Sequence, residues 1–398
     1  MKTRRVLLGE IAETCLGKML DQQKNKGDYQ PYLANINVRW GGFDLENLSL
    51  MRFTENEEER YGLRYGDILV CEGGEPGRCA IWKNQIPNMK FQKALHRIRV
   101  HENEVDFRWL FYRFLLARAQ GEFDQYYSGT TTIKHMPGDK LIKIQLDLPE
   151  LSIQKRLADI LTAYDDLIEN NQRQIELLEE AAQRLYKEWF VDLRYPGHEN
   201  VPVVDGVPEG WKKRKLIEET TILRRGISPV YDDNGRYTVI SQKCIRHEIM
   251  DIEEARRQSK EYLPEMNLLD GDTVICSTGI GTLGRIGQIF GIYNDTTFDS
   301  HVTLVRTKHY PNFFYHAIKA YEEFLMGMGR GSTNQQELYK SVIEDLEVLI
   351  PANQIIIWAE SIFMKIHKQI TSLRITIERL SETRDRLLPK LMSGEIAV

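Results

Sequence analysis

The chain has 398 residues, 42% of them hydrophobic and 28% charged, with a net charge of −5. That length favours two or more cores over one, and that balance excludes a disordered, fibrous or membrane-embedded chain. No apolar run approaches the roughly 18 residues of a membrane span, and the start, MKTRRVLLGEIAET, meets acidic residues too soon for a secretory leader, so a cytoplasmic location is expected.

In chain order, residues 1–148 are rich in Gly, aromatic and β-branched types and predict a first globular domain of mixed α/β (α+β) class. Within it, YLANINVRWGG gathers Tyr32, Asn35, Asn37, Arg39 and Trp40 into a polar and aromatic cluster. GDILVCEGGEPGRCAIW, from Gly66, reads as a turn, an apolar strand, a loop with Gly73, Gly74 and Gly77, then Arg78 and a second strand. SGTTTIKH adds Ser128, Thr130, Thr131 and Lys134. From Pro149 the pattern changes to apolar residues at steps of three and four, which predicts one helix of about 40 residues, roughly 60 Å long, closed by Pro196 and Gly197. Residues 149–204 are thus a long helix and a linker, and the Pro and Gly of VPVVDGVPEGW mark a domain boundary.

Residues 205–350 predict a second domain of the same class. It opens on a basic run, Lys212, Lys213, Arg214 and Lys215, followed by Arg224 and Arg225. Tyr237, Ser241, Gln242 and Lys243 match the first polar cluster, GDTVICSTGIGTLGRIGQI supplies Gly279, Gly281, Gly284 and Arg285, and GRGSTNQQ supplies Arg330, Ser332, Asn334 and Gln335. Residues 351–398 are a second long helix with a C-terminal tail, expected to kink or stop near Leu388 because Pro389 follows.

The two halves repeat at an offset of 202 residues. PELSIQKRLADIL, from Pro149, aligns with PANQIIIWAESIF, from Pro351, and Gly129 aligns with Gly331. In the first helix the seam is Ile153, Leu157, Ile160, Tyr164, Ile168, Asn171, Ile175, Leu178, Ala182, Leu185 and Trp189. The same offset gives Ile355, Ala359, Ile362, Ile366, Ile370, Leu373, Ile377, Leu380, Arg384, Leu387 and Leu391. Both seams carry the same doubled step of four, a phase shift that unwinds a coiled coil locally. Asn171 either marks that shift or fixes register as a buried polar residue. Stripes of equal length and phase predict that the helices pair.

Two divergent globular domains, each followed by a matching proline-led helix, with GDILV and GDTVI strands and a closing PKLMSGEI, resemble the specificity subunit of Type I restriction-modification enzymes over essentially the whole chain. The resemblance implies two target-recognition domains separated by two antiparallel helices in a coiled coil, a pseudo-two-fold internal repeat. It also implies a bipartite, asymmetric DNA target with an unread spacer set by the helices. The implied partners are double-stranded DNA, two adenine methyltransferase subunits and translocating restriction subunits, in DNA methylation and defence against foreign DNA. No membrane, cofactor or metal is implied, and the chain is expected to be non-catalytic. GxxxxGK[ST], NPPF-like and DPPY-like tetrapeptides and a GxGxxG in cofactor context are missing. The five scattered cysteines and nine histidines lack metal-ligand spacing. A scaffold without DNA and a Type IIB-like restriction enzyme component are the alternative readings.

The DNA-binding candidates are Asn35, Arg39, Trp40, Arg78, Thr130, Thr131, Lys134, Lys213, Arg225, Gln242, Lys243, Arg285, Arg330, Asn334 and Gln335. Amides and guanidinium groups donate and accept in the pairs that major-groove readout needs. The Gly-rich loops are phosphate cradles or tight turns, Arg78 and Arg285 contact DNA or form surface salt bridges, and the loop hydroxyls and amides face DNA or serve as caps and turns. The basic run is a DNA-facing or merely solvated stretch. Net charge does not oppose this, because residues 148–204 hold six Lys and Arg against eleven Asp and Glu and account for the whole deficit.

Removing one heptad from both helices, about 10 Å, is expected to shorten the preferred spacer by roughly three base pairs with unchanged half-sites. Methylome sequencing checks this, and altered half-sites with a constant spacer would contradict it.

Overall fold

The computed structural model describes residues 2–397 apart from 22–24, 47, 131–132, 247–248, 251–253, 280, 292–293 and 332–335. They form two compact units, residues 1–170 with 377–398, and residues 171–376. Among the described residues no helix is long and apolar enough to cross a membrane.

The first unit contains β1 (Thr3–Leu7), β2 (Ala12–Leu16), β3 (Asp28–Leu33), β4 (Ser49–Phe53), β5 (Ile68–Cys71), β6 (Cys79–Ile81), β7 (Lys90–Phe91), β8 (Leu95–Val100), α1 (Phe107–Ala119) and β9 (Gln145–Pro149), followed by the first part of α2 (Leu151–Tyr186). Its main sheet is antiparallel in the order β2-β8-β5-β6, a smaller sheet runs β4-β3-β7 with β3 and β7 parallel, and β1 pairs with β9. The second unit contains β10 (Lys212–Lys215), β11 (Thr220–Arg225), β12 (Tyr237–Ile240), β13 (Arg256–Gln258), β14 (Thr273–Cys276), β15 (Ile286–Gln288), β16 (Thr296–Phe298), β17 (Val302–Thr307), α3 (Pro311–Lys319), β18 (Glu347–Ile350) and most of α4 (Asn353–Ser393). Every pairing recurs, in the orders β11-β17-β14-β15 and β13-β12-β16, with β10 against β18.

Single hydrogen bonds recur as well. Gly17 and Gly226 close equivalent corners, their amides donating to Leu95 O at 3.0 Å and Val302 O at 3.1 Å. An added Cβ would lie 2.3 Å from Gln92 O in one case and 2.1 Å from Phe298 O in the other, so only glycine fits. At the far end of each central strand pair a buried carboxylate takes both arms of one guanidinium. Asp67 holds Arg99 at 2.8 and 2.7 Å, and Asp272 holds Arg306 at 2.7 and 2.7 Å.

Helix α2 starts two residues after Pro149, with buried Gln154 accepting from Asp106 N at 3.0 Å and donating to Pro149 O at 2.9 Å. A π-helical turn, Lys187–Val191, ends it. In the first unit Leu157, Ala158 and Leu161 share a core with Leu388 and Leu391, and Asp165 pairs with Arg384 at 2.6 Å. Moving forward along α2 therefore means moving backward along α4, and the helices are antiparallel. In the second unit Glu179 pairs with Arg374 at 3.0 Å, and further along α2 Ala182, Tyr186 and Phe190 share a core with Ile355, Ala359 and Phe363 from earlier in α4, so the sense is the same.

Two expectations are corrected. Ile160 is exposed, and Leu161 is buried in its place; the equivalent Phe363 is buried in the second helix. The stripe widens at these ends because it must meet a globular core as well as a partner helix. Helix α4 also does not stop near Leu388, since it continues through Pro389 to Ser393. Pro389 faces solvent, while Leu388 and Leu391 are buried on either side of it. Burying two leucines yields about 3–6 kcal/mol, which offsets a proline cost of roughly 3 kcal/mol.

The short globular helix rests on the long helix through different chemistry in the two units. In the first, Tyr112 donates to Asp165 at 2.6 Å, beside the Arg384 ion pair. In the second, Asn312 gives its amide N–H to Glu360 at 2.7 Å and accepts from His367 Nδ1 at 2.8 Å. His367 Nε2 is thereby left to accept from His316 Nε2–H at 3.2 Å. Both imidazoles are buried. Burial holds His316 well below its ordinary value, with the neighbouring His367 adding to the shift, and burial holds His367 down at about 4.

Each imidazole therefore binds a proton more weakly in the folded chain than in the unfolded one. The stability contributed by the neutral pair is fully present above pH 6.5, the unfolded value, and is lost as pH falls from there towards about 4. At pH 5 the His367 contribution lost is on the order of 2 kcal/mol. Urea titrations at pH 7.5 and pH 5 should show this loss in the wild type and not in His367→Gln; equal acid sensitivity in both would remove the role.

Candidate nucleic-acid interface

The first cluster begins where β3 ends. The tight turn Asn35–Asn37 is closed by Asn37, whose Oδ1 accepts from Ala34 N at 2.9 Å and whose Nδ2 donates to Asp44 O at 3.1 Å. Asn37 is buried and serves the turn. Asn35 reaches out of it, donating to Gly73 O at 2.6 Å, and Arg78 Nη2 donates to Asn35 Oδ1 at 2.7 Å and Asn35 O at 3.1 Å. Glu75, on the same Gly-rich loop, accepts from Trp40 Nε1 at 2.6 Å and pairs with Arg78 at 3.5 Å and Arg118 at 3.2 Å. Arg118 lies 4.4 Å from the Trp40 ring centroid. Asn35, Trp40 and Arg78 are thus one latched assembly, while Arg39 turns to Ile36 O and Asp44.

The second cluster has the same frame and other side chains. Ser241 caps the turn Gln242–Cys244 by accepting from Lys243 N at 3.2 Å. Gln242 Oε1 accepts from Thr282 Oγ1 at 3.3 Å, and among the described residues nothing accepts from its Nε2. The loops correspond through matched backbone bonds. Cys71 N and Cys276 N donate to Arg78 O and Arg285 O at 2.8 Å, Gly77 N and Gly284 N donate back to Cys71 O and Cys276 O at 3.0 and 2.8 Å, and Arg78 N and Arg285 N donate to Glu75 O and Thr282 O at 3.1 Å. Six residues separate the first Cys and Arg, and eight the second. Since the amides of Gly77, Arg78, Gly284 and Arg285 are committed to closing these turns, they are not free to cradle phosphate. The half-buried Arg285 guanidinium has no hydrogen-bond or ion-pair partner among the described residues.

A further segment docks beside each loop, with Met136 N donating to Glu72 O at 2.7 Å and Leu338 N to Ser277 O at 2.8 Å. Exposed Lys134 lies 5.2 Å from the Tyr127 ring centroid and 3.6 Å from Asp124. Arg330 exchanges backbone bonds with Glu337, its guanidinium 5.8 Å from the Tyr339 ring centroid. Arg225 braces this segment from beneath, donating to Glu337, Leu338 O at 3.0 Å and Ser277 O at 3.5 Å. Lys213 sits on β10 and pairs with Glu347 at 3.1 Å, apart from these contacts. Lys243 is exposed. Thr130 lies on the strand Ser128–Thr130, paired with Ile133–His135; Thr131, Asn334 and Gln335 lie outside the described residues.

Sequence reading missed the Asp67–Arg99 and Asp272–Arg306 pairs, although each Asp stands in the repeated Gly-Asp that opens a strand. It also missed Glu72 and His135. Buried Cys71, Cys79 and Cys276 line the strand ends beneath the loops, and burial raises their thiols above the ordinary value.

Gly279 has φ +107, and an added Cβ would lie 2.3 Å from Gln242 Oε1; Gly281 has φ +71 with open space around its Cβ position. Gly279→Ala is therefore expected to displace Gln242 and destabilise the second unit by about 1–3 kcal/mol, whereas Gly281→Asn should cost under about 1 kcal/mol because asparagine tolerates positive φ. Chemical denaturation of the two variants checks the order, and equal effects would refute the contact.

A family model described as Type I restriction modification DNA specificity domain matches this chain twice, over residues 3–180 and 208–381. The chain is similar to the Type I restriction enzyme MjaIX specificity subunit of Methanocaldococcus jannaschii, 24% identical over 352 residues that cover 84% of this chain and 78% of that one. It is also similar to the Type I restriction enzyme HindI specificity subunit of Haemophilus influenzae, 24% identical over 423 residues that cover 85% and 88%. The crystal structure of the Type-I restriction-modification system S subunit from M. genitalium shares the fold at TM-score 0.58 and 16% identity, covering 98% of this chain and 96% of that one.

Proposed function

The chain belongs to the Type I restriction modification DNA specificity domain family, and from that premise we propose that its two units each read one half of a bipartite, asymmetric DNA target. The observation that carries this reading is one backbone frame holding two chemistries. Asn35, Trp40, Glu75 and Arg78 stand in the first unit where Gln242, Thr282 and Arg285, which has no partner among the described residues, stand in the second. Identical frames give each unit the same approach to a duplex, and unlike side chains give unlike sequences.

The paired helices set the length of the unread spacer and offer the docking surface for two adenine methyltransferase subunits. Translocating restriction subunits complete the assembly, and methylation and cleavage reside in those partners. The side-chain bonds among Asn35, Trp40, Glu75 and Arg78, and between Thr282 and Gln242, support a non-catalytic role, since none of them aligns a nucleophile with a base. Phosphate contacts come from exposed cations around the loops, Lys134, Lys243 and Arg330, with Arg285 free to reach a base edge.

Mapping methylated adenines in cells that carry this chain with a methyltransferase partner should return one bipartite motif. Arg285→Ala should relax one position of one half-site by about ten-fold, the scale of a lost guanidinium–guanine contact, and leave the other half-site unchanged. Methylation without sequence preference would overturn the proposal.

A further inference from the structure

Next to the Asn35 latch lies an open cleft of about 440 Å³ within the first unit, and Glu72 forms part of its wall. The Glu72 backbone is fixed on both sides, its amide donating to Ala94 O at 2.8 Å and its carbonyl accepting from Met136 N at 2.7 Å. The side chain is half-buried, yet among the described residues its carboxylate has no hydrogen bond and no ion pair. A carboxylate held on a rigid backbone at the wall of an open cleft, with no donor among the described residues, is placed to accept a hydrogen bond from a ligand. Exposed Lys93 and His135 stand on the same cleft, while Met19 and Leu20 put apolar surface at 52% and 59% exposure beside it.

Resting on the DNA-reading role proposed above, we propose that Glu72 is a specificity-determining residue that accepts a hydrogen bond from the exocyclic amine of one cytosine in the half-site read by the first unit. A carboxylate only accepts, so it needs a base edge that offers a donor. In the major groove cytosine presents its N4 amine without an acceptor of its own beside it, whereas adenine sets the N7 acceptor next to its amine and repels the second carboxylate oxygen. Lys93 lowers the cost of bringing this negative charge to a polyanion, and Met19 and Leu20 pack against the neighbouring base.

The second unit lacks the device. The equivalent position is Ser277, with the same two backbone bonds, to His301 O at 2.8 Å and from Leu338 N at 2.8 Å. Its hydroxyl is buried and bonded to Thr303 Oγ1 at 2.5 Å. Carboxylate readout at this place in the frame therefore belongs to one half-site alone.

The test uses the full chain with its methyltransferase partner. Methylated adenines are mapped for wild type, Glu72→Ala and Glu72→Gln, and binding is measured to the wild-type motif with that cytosine intact or replaced by its pyrimidinone analogue, which lacks the amine. Glu72→Ala should make one cytosine position degenerate, lower discrimination there about ten-fold or more, and leave the second half-site and the spacer unchanged. Glu72→Gln, which preserves side-chain volume should Glu72→Ala fail to fold, is expected to shift that position towards adenine. The analogue should weaken wild type and be neutral for the variants. An unchanged motif in Glu72→Gln, or a change confined to the second half-site, overturns the assignment while the bipartite reading stands. A wild type with no motif overturns the reading itself.

Discussion

An apolar stripe along a forty-residue helix has to be covered, and covering it organises each unit of this protein. In the first unit Leu157 and Leu161 of α2 enter the same core as Leu388 and Leu391 of α4, together with Trp109 and Phe114 of α1. In the second, Tyr186 and Phe190 meet Ile355, Ala359 and Phe363 beneath Phe313 of α3. Neither globular part closes its core without both long helices. A loss of helix packing is therefore felt by the sheets, since a large-to-small change at a fully buried position such as Leu161 or Phe363 costs about 2–5 kcal/mol.

The sheets carry the loops, and the division of labour between backbone and side chains is sharp. Main-chain bonds fix where each loop leaves and re-enters its strand pair, and a carboxylate–guanidinium pair pins the other end. Substitution at Glu75 or Thr282, at Ala94 or His301, leaves that frame in place because its hydrogen bonds belong to the backbone. Such a frame lets recognition chemistry vary without refolding, and supporting residues of this kind hold a reading group in position more firmly than a free loop does.

The joints between short and long helices show the same freedom in the interior. Tyr112 with Asp165 and Arg384 is an ionic solution in which a charged partner must remain charged; His316 with His367, Asn312 and Glu360 is a relay in which two imidazoles must remain neutral. Both satisfy buried polar groups, but only the second ties the docking of a globular helix to proton concentration in the mildly acidic range.

Periodicity along the chain was enough to determine the doubling of the fold, the two long helices with their starts after Pro149 and Pro351, and the strand–loop–strand units around Arg78 and Arg285. Each of these follows from local rules: apolar spacing, proline geometry and glycine turns. Tertiary structure alone decided how polar groups are spent. Asn37 became a bracket and Arg225 a brace, while Arg78 bonded to Asn35 and Glu72 was left without a donor among the described residues. Ile160 turned outward, and helix α4 carried Pro389 because leucines on both sides of it are buried. Hydrogen-bond partners lie tens of residues apart in the chain, 43 for Arg78 and Asn35 and 112 for Arg225 and Glu337. Nothing in local spacing encodes which distant donor meets which acceptor until the sheets have brought them together.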